Sequence, residues 1–354
     1  MIREARSRFR QRHRNIKPRL EHPGMVYYIT RAFAAGFLRE LTTYTVVGDI
    51  IAGDKDVVYS TFLGYDEVAH HCGVSDDESF YVLQTLDKCI KRIEGAKAYA
   101  QRPYYICVLS DHGQTGGATF KQRYGYTLAQ LVQKLVPEDH RTYSDLNSNQ
   151  DHFGQIVTVP LENVRKPLEN VTKPSTRKRA KRDEEKADVI VLASGNMGLI
   201  YFTRWTERIS AEDIENHYPG VIEGLSRHEG ISFIMVRSKE AEGVIMGAGG
   251  KRYLKDDRIE GEDPLAKFGK QTAEHLRRTD SFDCVPDIML VSMYDTEKDE
   301  VAAFEELIGS HGGIGGNQTK PFILHPAEWN IGEEEIIGAE SVGRLFSQQI
   351  KVVY

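Results

Sequence analysis

Apolar residues recur at helical spacing through residues 27–51, where Phe33, Phe37, Leu41 and Tyr44 share a face and Arg39, Glu40 and Asp49 interrupt. That spacing predicts an amphipathic helix packed on another element. The pattern then changes. Residues 57–63 (VVYSTFL) form an almost continuous β-branched and aromatic run, which predicts a strand buried on both faces. Ser75-Asp76-Asp77-Glu78 carries a capping-box signature, and Phe80, Leu83, Leu86, Ile90 and Ile93 line one face of the helix it opens. A second apolar run, residues 104–109, predicts the strand that closes a strand-helix-strand unit.

Periodicity fails over residues 137–187, where a basic, proline-containing stretch (KPSTRKRAKR, residues 173–182) precedes three acids. An insertion or exposed loop is expected there. Regular structure resumes with strands at 189–193 and 199–202, joined through Gly195 and Asn196 as a hairpin. A helix starts at Ala211 behind Ser210-x-x-Asp213 and is interrupted at Pro219-Gly220. A strand at 231–236, a hairpin turn within 243–250, a strand at 287–292 and a helix at 300–307 follow, before the glycine-rich loop 309–313. Together these elements predict an α/β fold, a mostly parallel sheet flanked by helices, with an inserted loop and hairpin region. The expected organisation is a basic arm over 1–24, the first part of the α/β core over 25–136, the insertion over 137–187 and the rest of the core over 188–354.

Composition narrows the class. A chain of 354 residues with 40% hydrophobic content can bury a sizeable core. Its formal charge of -6 argues against nucleic acid as a specific partner. The charge is uneven, since residues 1–20 are arginine-rich and hold only one acid, Glu4. A solvated arm is expected, with contact to an anionic membrane surface as the alternative. The four cysteines, Cys72, Cys89, Cys107 and Cys284, form no Cys-x-x-Cys pair, which points to a reducing compartment. No signal peptide or transmembrane run is evident, so a cytoplasmic location is the default expectation.

The chemistry sits at the predicted strand ends. Asp66 follows the first strand, and Asp111-His112 follows the second. In open parallel sheets, ligand sites form beyond the carboxyl ends of strands, so two carboxylates and two imidazoles, with His70, are expected at one sheet edge. Carboxylate oxygens and neutral imidazoles suit Zn²⁺ or Mn²⁺, and two such ions can clamp the attacking and leaving oxygens of phosphoryl transfer. On spacing alone, Asp66 and His70 equally suit a solvated helical pair. His71 is turned about 100° from His70 on a helix, so only one of them shares the face of Asp66; His70 is the expected partner. Gln114 and Thr115 are expected to touch substrate, and Lys121 and Arg123 to offset phosphate charge, with surface roles as the alternative for each.

Three segments, Gly64-Tyr65-Asp66-Glu67-Val68-Ala69-His70, Leu109-Ser110-Asp111-His112-Gly113-Gln114 and Gly309-Ser310-His311-Gly312, resemble the alkaline phosphatase superfamily. The resemblance is to the branch of nucleotide pyrophosphatases/phosphodiesterases and cofactor-independent phosphoglycerate mutases, and spans roughly residues 57–330. It implies an alkaline-phosphatase-like core and hydrolysis of a phosphate ester or phosphodiester through a covalent phospho-enzyme. It also implies two divalent ions, Zn or Mn: Asp66, His70 and His311 would hold one, and Asp111 and His112 would contribute to the other. The superfamily places an aspartate and a Thr or Ser nucleophile ahead of its Asp-x-x-x-His segment. Here only Thr42 and Thr43 are conspicuous hydroxyls upstream, both mid-helix. The expectation is therefore a C-terminal part of a longer enzyme, holding one ion by itself. A phosphomutase using the same metal site and a non-catalytic, membrane-proximal binding module are the alternatives. The Cys/Ser-x-Pro-x-Arg motif of sulfatases is absent.

Overall fold

The computed structural model describes residue 18 and residues 34–144, 187–332 and 335–353. The basic run at 173–182 and, Pro18 apart, the arm at 1–24 lie outside these. A π-helical turn, Ala34–Leu38, leads into α1 (Arg39–Ala52), and residues 27–33 of the expected helix are likewise outside the described part. Next come α2 (Tyr65–Cys72) and α3 (Asp77–Ala96). Asp76, one residue beyond the expected cap, opens α3 by accepting the Glu78 N–H at 2.9 Å. Two short strands follow, β1 (Val108–Leu109) and β2 (Thr115–Gly116). Then α4 (Phe120–Tyr124) and α5 (Leu128–Leu135) each begin on a Thr-x-x-Gln capping box, at Thr119 and Thr127.

The main sheet follows in the chain as β3 (Thr142–Ser144), β4 (Val189–Ser194) and β5 (Met197–Phe202). Helices α6 (Ala211–His217) and α7 (Val221–Ser226) separate these from β6 (Ile231–Ser238), β7 (Glu242–Met246), β8 (Gly250–Tyr253) and β9 (Ile259–Gly261). Helix α8 (Thr272–Asp280) precedes β10 (Ile288–Ser292). The chain continues through β11 (Tyr294–Asp295), β12 (Glu300–Val301), β13 (Gly309–Ser310) and β14 (Ile323–Leu324) to α9 (Gly338–Val353).

The result is a mixed α/β fold around an eight-stranded sheet of order β3-β4-β5-β10-β6-β7-β8-β9. The expectation of a mostly parallel sheet is corrected: only β3 and β4 run parallel. Tight hairpins are the reason. The β4-β5 link has two residues and the β7-β8 link three, too short for the crossover that parallel neighbours need. Part of the expected insertion is structural too, because β3 forms the parallel edge.

Both faces of the sheet centre are buried. Ile234, Val236, Ile288 and Leu290 pack with Leu128, Ile214 and Leu225 from α5, α6 and α7, whereas Phe233, Met235, Met289 and Val291 pack with Leu265 and Leu276 of the α8 side. The period of two places alternate residues of β6 and β10 in two separate cores. A buried carboxylate helps to close the first: Asp287 accepts the backbone N–H groups of Phe202 at 2.7 Å and Ile209 at 2.9 Å.

Three expected elements differ. Residues 57–63 join no ladder, and Val57 and Tyr59 are exposed. The run at 104–109 forms only the two-residue β1, antiparallel to β14. Residues 300–307 are not helical. Glu300–Val301 is β12, and the Phe304 N–H bonds to the Gly195 carbonyl at 2.8 Å while the Ala303 carbonyl accepts from Phe120. Those backbone groups are committed to distant partners, which a helix would forbid. A second sheet of order β11-β12-β2-β13 results.

Leu290 is fully buried and Tyr59 is not, so Leu290→Ala is expected to cost about 2–5 kcal/mol in urea unfolding. Tyr59→Ala should stay within about 0.5 kcal/mol.

Candidate metal centre

Helix α2 sets two donors one turn apart. Its cap, Gly64, has φ 121, and Asp66 lies in the first turn with His70 four residues on. The Asp66 side chain is half-exposed and His70 is buried, with His70 Nε2 3.2 Å from Asp66 Oδ2. His71 points elsewhere, its Nε2 3.1 Å from Glu67 Oε1. The expected choice of His70 over His71 matches this placement.

The third donor arrives from the far end of the chain. His311 follows β13, and its Nε2 is 3.4 Å from Asp66 Oδ1. Among the described residues, Asp66, His70 and His311 form the one group of three acidic, His or Cys side chains whose donor atoms all lie within 4.8 Å of one another. β13 is bound to α2 by its main chain: Ile308 N–H donates to the His70 carbonyl at 2.7 Å, and His70 Nδ1–H donates to the Gly309 carbonyl at 2.6 Å. A carbonyl only accepts, so Nδ1 carries a proton, and Nε2 is the nitrogen turned towards Asp66. That Nε2 is buried and makes no hydrogen bond, despite its proximity to Asp66. An unsatisfied imidazole nitrogen facing a carboxylate, its other nitrogen tied to a carbonyl, fits a divalent cation such as Zn²⁺.

The His311 loop is braced from behind by the β4-β5 turn. Gly195 has φ 57, and a Cβ there would lie 1.9 Å from the His311 carbonyl oxygen. Buried Asn196 donates to the Ile314 carbonyl at 2.9 Å and accepts from Gln318 Nε2 at 3.1 Å. Gly309 is constrained likewise, since a Cβ there would meet the Ala69 carbonyl at 2.6 Å. Gly195, Asn196 and Gln318 were not among the expected site residues. The glycine in a two-residue hairpin was the only sequence signal for any of them.

The second expected pair is placed differently. His112 stacks on His311 with ring centroids 3.6 Å apart, and its Nδ1–H donates to the Gly113 carbonyl at 3.0 Å. Asp111 is strongly exposed; its carboxylate accepts the His112 N–H at 3.1 Å and lies outside the three-residue group. Gln114, expected to touch substrate, turns to Asp66: its amide donates to the Asp66 carbonyl at 3.2 Å and to Asp66 Oδ1. Thr115, also expected to touch substrate, is buried, and its hydroxyl donates to the Gly315 carbonyl and accepts from the Gln318 N–H, so it pins two loops together. Lys121 pairs with Glu306 at 3.7 Å and Arg123 with Glu300 at 2.7 Å, so both cations already face carboxylates. Thr43 is buried mid-helix and donates to the Arg39 carbonyl.

Electrostatics follow from the crowding. Burial alone would raise the Asp66 carboxyl, but contact with His311 and His70 outweighs it and holds the group far below the usual carboxylate range. Burial alone would lower His70; its contact with Asp66, the Gly309 carbonyl and the charge of Glu67 outweigh that and raise it. Compared with protein-family models, curated proteins and solved structures, the chain matches none.

A cation must displace the proton that the raised His70 retains. Zn²⁺ affinity should therefore climb as pH rises through and above the ordinary imidazole value near 6.5, with proton release seen by calorimetry in buffers of different ionisation enthalpy. Gln114→Ala should weaken Zn²⁺ binding about 10-fold or more by freeing Asp66, with the melting of the metal-free protein little changed.

Proposed function

We propose that this chain carries the metal site of a phosphoric ester hydrolase of the alkaline phosphatase superfamily, with Asp66, His70 and His311 holding one divalent ion. The observation that carries the proposal is the meeting of these three donors, two from one helix and one from a distant loop, around a buried imidazole nitrogen with no hydrogen bond. Three protein donors leave a coordination position open, as catalytic zinc sites require, and an ion there would polarise a phosphoryl oxygen. His112, stacked on His311 with its Nδ1 held by Gly113, stands beside that position. Exposed Asp111 is the natural second donor with it for a further ion. The alkaline-phosphatase-like core belongs to this proposal through the three motifs; the mixed, mostly antiparallel eight-stranded sheet is not what recommends it.

The test is metal content together with oxyanion binding and turnover. The purified full chain, stripped and reloaded with Zn²⁺ or Mn²⁺, should retain about one tightly held ion, as three donors in one group imply. The loaded protein should bind inorganic phosphate, and the stripped protein should not. Alanine at His70 or His311 should remove both properties together. Failure of the wild type to hold a divalent ion, or hydrolysis of bis-p-nitrophenyl phosphate that survives both alanine variants, would sink the proposal.

A further inference from the structure

The turn between α7 and β6 is held by the ring of His228. Its Nδ1 accepts the Gly230 N–H at 2.9 Å, and its Nε2 lies 2.8 Å from the Tyr126 hydroxyl. A backbone N–H only donates, so Nδ1 carries a lone pair, and the proton of the neutral ring sits on Nε2 and is donated to the Tyr126 oxygen. Gly230 is buried, and its amide has no other acceptor among the described residues. The surroundings are tight. A Cβ at Gly230 would meet Tyr124 Cε2 at 2.5 Å and Phe120 Cε2 at 2.7 Å, and the His228 ring packs on the same two residues of α4 with centroids 5.2 Å and 5.4 Å away. The Gly230 carbonyl accepts the Met293 N–H at 2.8 Å, just beyond the end of β10. One residue back, Ser292 N–H donates to the Asn196 carbonyl at 2.9 Å, so this corner adjoins the turn that braces His311.

We propose that His228 is an acid-sensitive latch: neutral, it fixes the 228–230 turn against α4 and the end of β10, and protonated, it releases that turn. A second ring proton would lie on Nδ1 and point at the Gly230 N–H, setting two donors face to face. Either the buried amide loses its acceptor or the ring leaves its place among the aromatic side chains, and both open the turn. His228 is only half-buried, so solvent protons reach it. Burial holds the imidazole below its ordinary value, outweighing the neighbouring Glu229 carboxylate, which acts the other way. The other charges nearby are already engaged or oppose protonation. Arg123 of α4 pairs with Glu300, Arg227 pairs with Glu223 at 2.9 Å, and the Lys134 ammonium of α5 lies 4.2 Å from the centre of the Tyr126 ring. The phenols of Tyr124 and Tyr126 stay neutral in acid. A histidine held below its unfolded value stabilises the turn above that value, and this contribution is lost as pH falls through the folded value. None of the groups involved is a donor of the metal centre, and the inference holds whether or not that centre binds an ion.

The test is amide hydrogen exchange of the purified full chain, read by NMR at about pH 7.5 and about pH 5, on either side of the ordinary imidazole value near 6.5. Protection of the Gly230 and Met293 amides, corrected for intrinsic exchange, should fall about tenfold or more on acidification, while that of Leu290 at the sheet centre holds. In His228→Asn the carboxamide oxygen takes the place of Nδ1 and does not titrate, so Gly230 should be equally protected at both pH values. His228→Ala should lack the protection at both. Should the alanine variant not fold, wild type against His228→Asn decides alone. The ring signals of His228 should titrate below the ordinary imidazole value. Equal acid loss of protection in wild type and His228→Asn would overturn the proposal. So would wild-type Gly230 protection that does not change with pH, or a His228 midpoint at or above the ordinary value.

Discussion

The hydrogen bond from His70 Nδ1 to the Gly309 carbonyl organises the centre. It joins residues 239 positions apart in the chain, fixes the imidazole tautomer and turns Nε2 towards Asp66. The approach of β13 to α2 permits it, and that approach depends on the missing side chain at Gly309, where any Cβ would strike the Ala69 carbonyl. The bond is buried, so its geometry is set by packing rather than by solvent. Every other feature of the centre, from the place of His311 to the brace of Gln114, presupposes that α2 and β13 stay in register.

Support for that register comes from the large sheet. The β4-β5 turn lies against the main chain of His311, and Asn196 and Gln318 fill the space behind it with mutual and backbone hydrogen bonds. Asn196 is satisfied through both ends of its amide and Gln318 through Nε2, while Gln318 Oε1 is buried with no partner among the described residues. The stability of the eight-stranded core is thereby passed directly to a donor outside it, and a hairpin without chemistry of its own becomes part of the site's frame.

Much of this was legible in the sequence. Asp66 with His70 at helical spacing, the preference for His70 over His71, the hairpin through Gly195 and Asn196 and the start of α6 all follow local rules of period and turn. What failed was non-local. Residues 57–63 have the composition of a buried strand, but a strand also needs a neighbour, and composition says nothing about where one lies. Residues 300–307 contain helix-compatible alanines and glutamates, yet Val301, Ala302, Ala303 and Phe304 are all buried, and the backbones of Ala303 and Phe304 bond to the distant Phe120 and Gly195. Parallel strands were expected because apolar runs buried on both faces are usual in parallel sheets; helices on either side of β6 and β10 produce the same burial around antiparallel pairs. The role of Gln114 left no trace, because an amide that steadies a carboxylate has no characteristic spacing.

The distance in sequence between α2 and the His311 loop has a kinetic side. Asp66 and His70 sit on a helix of eight residues, too short to persist alone, and their third companion becomes available only after β13 has docked. Closing so long a loop precedes any reward from the ion. A cation held at this centre, as proposed, would not nucleate folding in the manner of a zinc finger; it would act as a late clasp, its capture dating the moment at which the two ends of the domain have met.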